Sequence, residues 1–68
     1  MSTVARITTI SSRSTEGFDH AVREGIERAH ATLRGISGAW VKEQSVSCTD
    51  GTITSFDVVL EVTFILDD

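Results

Sequence analysis

Between Phe56 and Leu66 every second residue is apolar: Phe56, Val58, Leu60, Val62, Phe64 and Leu66. A strand points alternate side chains to opposite faces, so the whole set lies on one side and needs a cover. The segment before it supplies one. Phe18, Val22, Ile26, Ala29 and Leu33, with Ala21 and Gly25 beside them, recur at three- and four-residue spacing and predict an amphipathic helix. Ser14 or Thr15 is its expected N-cap, with Glu16 in the first turn, and Gly35 its expected C-cap. Asp19/Arg23 and Glu24/Arg28 are opposite charges four apart on the outer face.

Two more strands complete the chain. Thr3–Ile10 is rich in β-branched residues, and the polar Ser11-Ser12-Arg13 reads as its end. Asp50-Gly51 between extended runs predicts a two-residue type I′ turn joining Gly38–Thr49 to Thr52–Leu66. Counting from that turn pairs Trp40 with Glu61, Val41 with Leu60, Lys42 with Val59 and Gln44 with Asp57. Glu43 then falls on the apolar face, which a β-bulge would relieve. A right-handed crossover through the helix leaves a gap that the third strand fills. The expected fold is α+β, a β-α-β-β unit whose three-stranded sheet has order 1-3-2 and packs on one helix.

At 68 residues there is room for one domain, spanning 1–68. Domains this small lean on disulfides, a metal or self-association. Cys48 is the only cysteine, and His20 and His30 stand apart on the polar side of the helix, which leaves self-association. A net charge of −4 argues against nucleic acid. No apolar run is long enough to span a bilayer, the first residues lack a signal-peptide pattern, and the expected compartment is the cytosol.

The helix covers one sheet face. The other is expected to carry Trp40, Lys42, Gln44, Val46 and Cys48 beside Ile53, Ser55, Asp57, Val59 and Glu61. A large aromatic on such a surface marks a subunit contact, a ligand site, or both at once. Lys42 is either solvated or opposite a ligand phosphate, and Cys48 is expected as a buried, inert thiol. Asp67-Asp68 with Glu61 would either gather cations or be solvated chain-end charge. No nucleophile–base pair or phosphate-cradling loop is present, so a binding protein is expected, not an enzyme.

Ser-Thr-Glu-Gly-Phe-Asp-His-Ala-Val, Gly-Ile-Glu-Arg-Ala, Thr-Leu-Arg, Gly-Ala-Trp-Val-Lys-Glu-Gln and Phe-Asp-Val-Val-Leu-Glu-Val-Thr-Phe-Ile-Leu-Asp follow one another over nearly the whole chain. In order, spacing and length the sequence resembles the dodecins, small flavin-binding proteins. The resemblance implies a hollow homododecamer with helices outside and sheets inside. It also implies flavin (FMN, riboflavin or FAD) stacked between symmetry-related tryptophans and stored or photoprotected without turnover. Two positions depart from that pattern. The family's ring-edge glutamine falls on Asp57, and its stacking tryptophan falls on Gly38, two residues before Trp40. The resemblance points to Trp40, Asp57 and Gly38, and the register adds Gln44, which either restores the amide opposite Asp57 or makes a simple cross-strand hydrogen bond; with Lys42 these form the expected cofactor-binding set. A cage that binds cations or other small molecules in place of flavin is the alternative.

Overall fold

The computed structural model describes residues 3–66. Strand β1 (Ala5–Ser14) leads into helix α1 (Phe18–Thr32), followed by the hairpin strands β2 (Ile36–Thr49) and β3 (Thr52–Ile65). The sheet has the expected order β1-β3-β2, with β3 antiparallel to both neighbours. Asp50 (φ 51°) and Gly51 (φ 77°) both have positive φ, as a type I′ turn requires.

The stripe on α1 is centred differently from the sequence expectation. The buried line is Ala21, Gly25 and Ala29, while Phe18, Val22, Ile26 and Leu33 flank it half-buried. Small residues on the contact line let the helix axis approach the sheet, and the larger ones close over the sides. At Gly25 even a Cβ would stand 3.2 Å from Leu60 Cδ1 and 3.2 Å from Ser12 Cβ. Beneath this line lie Val58, Leu60, Val62 and Phe64, the buried part of the β3 set. Phe56 is half-buried and packs edge-on against Phe18, centroids 5.1 Å apart. Leu66 lies beyond β3 and is exposed, contrary to expectation.

Three boundaries also moved. β1 runs on through Ser11-Ser12-Arg13 to Ser14, because pairing with β3 overrides the weak strand preference of serine. The N-cap is Gly17, not Ser14 or Thr15, and Glu16 precedes the helix. Ser14 staples the junction instead. Its Oγ accepts the Glu16 backbone N–H at 2.9 Å and shares a hydrogen bond with His20 Nδ1 at 2.8 Å. His20 Nε2 lies 3.1 Å from Glu16 and 3.8 Å from Glu24, so Glu24 leans to His20. Finally, the C-cap is Leu33, and Gly35 (φ 78°) serves the turn into β2, its carbonyl accepting from Ile65 N–H.

The β2–β3 register departs from a straight count at Ile36, which pairs with Phe64, and again over one longer stretch. Cys48↔Ile53 and Trp40↔Glu61 pair as counted, but between them the strands are offset by one residue. One irregularity, near Thr54, opens the offset, and another at Lys42 closes it. The second moves Glu43 off the helix-facing side to lie opposite Val59, so a charged side chain leaves the apolar face.

Candidate ligand-binding face

The face of the sheet away from α1 is built from cross-strand rows. Trp40, Glu61 and Thr9 form one row. Next come Glu43, Val59 and Ser11, and after them Ser45, Asp57 and Arg13. Trp40 is 75% exposed, so its indole presents a large flat apolar surface to solvent. Gly38 lies on the same face opposite Thr63, and a Cβ added there would meet nothing within 4 Å. The space flanking the indole is therefore open enough to admit a planar ring edge.

Three expected site positions are corrected by the register. Gln44 pairs with Val58, not Asp57, and belongs to the helix-facing side. Val46, opposite Phe56, moves there with it. Lys42 is the extra residue of the bulge and has no partner across the strand, so its expected pairing with Val59 is lost. Cys48, next to Ser47 on an unbroken alternation of β2, also turns to the helix-facing side, and it is exposed, not buried. Asp67 and Asp68 lie outside the described residues.

Asp57 is the most constrained polar group on this face. Arg13 Nε–H donates to its Oδ1 at 2.6 Å and the Ser47 hydroxyl donates to its Oδ2 at 3.1 Å, tying β1, β3 and β2 together. The Arg13 hydrogen bond holds the carboxyl below its ordinary pKa against a smaller opposing effect of desolvation, and Ser47 adds to the lowering. Sequence reading missed both partners. The signal was there in the alternation Ile7, Thr9, Ser11, Arg13, which continues the strand past the apparent break and puts a cation opposite the acid.

Two concavities of about 520 and 410 Å³ flank β1, and neither is lined by Trp40. The face around the indole is flat in a single subunit. A flat ring placed there could only stack on the indole, and a second copy would be needed to enclose it. No helix among the described residues is long and apolar enough to cross a membrane, and no cluster of His, Cys, Asp or Glu among them could hold a metal ion.

Known proteins share this architecture. The dodecin family model matches residues 4–67. Among solved structures, the dodecin from Streptomyces davaonensis is 37% identical, with a TM-score of 0.93 and 100% of both chains covered. The dodecin from Streptomyces coelicolor is 30% identical, with a TM-score of 0.90 and 97% of this chain and 94% of that one covered. The calcium dodecin of Mycobacterium tuberculosis, a calcium-chelating antigen, is 28% identical, with a TM-score of 0.80 over 94% of this chain and 91% of its own. No curated protein sequence matches the chain.

Proposed function

The chain belongs to the dodecin family, and on that premise we propose that it is a cytoplasmic flavin-binding protein that assembles as a homododecamer and stores or photoprotects its ligand without turnover. The observation that carries this reading is Trp40, a 75%-exposed indole on the flat open face with free space at Gly38 beside it. Aromatic stacking adds about 0.5–1.5 kcal/mol beyond area burial, and a ring held between two indoles gains it twice. Lys42, set out of register by the bulge, is the cation available to a flavin phosphate. Gln44 drops out of the expected set because it lies on the other face. Self-association is supported by β2, where Trp40, Val41 and Val46 are all exposed in the single subunit.

Titrating the protein with FMN or riboflavin tests the reading. Flavin fluorescence should be strongly quenched, and Trp40→Ala should weaken binding at least about fivefold, because two stacking contacts of that size are lost together. Unchanged flavin fluorescence at micromolar protein would reject it. A second reading, a dodecin-like cage that collects cations, is favoured by Glu61 opposite Trp40, by Glu43 in the next row and by the calcium-binding relative. A colourless oligomer purified with bound metal would decide for that cage.

A further inference from the structure

We propose that this chain recognises the ring of its ligand by stacking on Trp40 alone, because the tether of Asp57 to Arg13 and Ser47 has withdrawn the group that would read the ring's imide edge. The inference rests on the ligand reading above and specifies the class of ligand it admits: flat tricyclic aromatics, with or without an imide.

An imide edge presents a donor flanked by two carbonyl acceptors. Reading it takes a side chain that accepts and donates side by side, as an amide does, whereas an ionised carboxylate only accepts. Asp57 is further committed, since each of its oxygens already has a donor from a flanking strand. An incoming imide N–H would have to compete with a charge-assisted bond of 2.6 Å. The sequence offers one replacement amide: Gln44 is its only Asn or Gln. The bulge at Lys42 removes it from the open face by pairing it with Val58. Separation adds to this, because Asp57 lies four residues along β3 from the partner of Trp40, roughly 13 Å away. Asp57 is thus a positioning residue that ties the three strands beneath the site, and the ligand meets an indole without an edge reader beside it.

Trp40 is the only tryptophan, so its own fluorescence reports binding. Lumiflavin, N3-methyl-lumiflavin and phenazine share a tricyclic outline, and the second and third lack the imide N–H. Quenching of Trp40 should give affinities for all three within about threefold of one another, less than the several-fold value of a directed hydrogen bond. Loss of the N3-methyl compound or phenazine relative to lumiflavin by more than that overturns the inference. Quenching by phenazine without lumiflavin would remove the flavin reading and leave the stacking site standing; no quenching by any of the three removes both. Asp57→Ala, which removes the tether without installing an amide, serves as the second arm. It should lower the thermal midpoint while leaving the affinity ratio of the three compounds unchanged, and a changed ratio would show that Asp57 touches the ligand.

Discussion

Leu60 and Asp57 sit three residues apart on the central strand and stabilise it by opposite means. Leu60 is fully buried under Ala21 and Gly25, with no solvent to fill the space its side chain would leave. Leu60→Ala should therefore cost about 2–5 kcal/mol, read by chemical denaturation at fixed subunit concentration. Asp57 works through charge. Its pKa is lowered in the folded state, so the unfolded chain binds a proton more readily. The stabilisation is complete above the unfolded value and disappears as pH falls through the folded one. Thermal midpoints of the wild type and Asp57→Asn should accordingly differ at neutral pH and converge as pH drops below about 4. A gap that stays constant across that range would mean the Arg13 pair contributes nothing in solution.

At the scale of elements, close approach and chain reversal each depend on one glycine. Gly25 lets α1 settle on β3, and a Cβ there already stands at 3.2 Å from two neighbours. Gly25→Val would push the branched side chain into Leu60 and Ser12 and should cost about 1–3 kcal/mol in the same denaturation assay. Gly51 closes the hairpin at φ 77° with nothing near its missing side chain, so backbone conformation alone is tested there. Gly51→Ala should lose roughly 1–2 kcal/mol while leaving the helix contacts intact. The two irregularities that bracket the offset stretch of the hairpin are elements in their own right. Between Thr54 and Lys42 they exchange the faces of Gln44 and Ser45, and so decide which polar groups Asp57 can reach.

For the whole molecule the arithmetic of burial is decisive. One helix covers β1 and β3, and both faces of β2 remain open, with Trp40, Val41, Val46 and the hairpin's Ile53 in solvent. A 7.4 kDa chain with that surface is marginal alone. Native mass spectrometry should find a species near twelve times the subunit mass, with little free subunit at micromolar concentration. A stable monomer would contradict the assembly and remove the partner that a stacked ligand needs.

Much of this molecule was determined by the sequence alone. The period-2 set on β3 and the helical stripe are strong because each repeats over its whole element, and Asp50-Gly51 needs no tertiary context to demand its turn. These sufficed for element order, sheet order, the core residues of β3 and the placement of Trp40 opposite Glu61. What the tertiary structure decided is finer and depends on partners distant in the chain. Strand pairing carried β1 through three polar residues and set Arg13 against Asp57. Two offsetting bulges, of which the sequence announced only the one at Lys42 through Glu43 on the apolar face, turned Gln44 from the side of Trp40 to the other. Side-chain period in a strand is two, so a one-residue slip reverses a face completely. The position of Trp40 survived because the second bulge cancels the first before the strand reaches it.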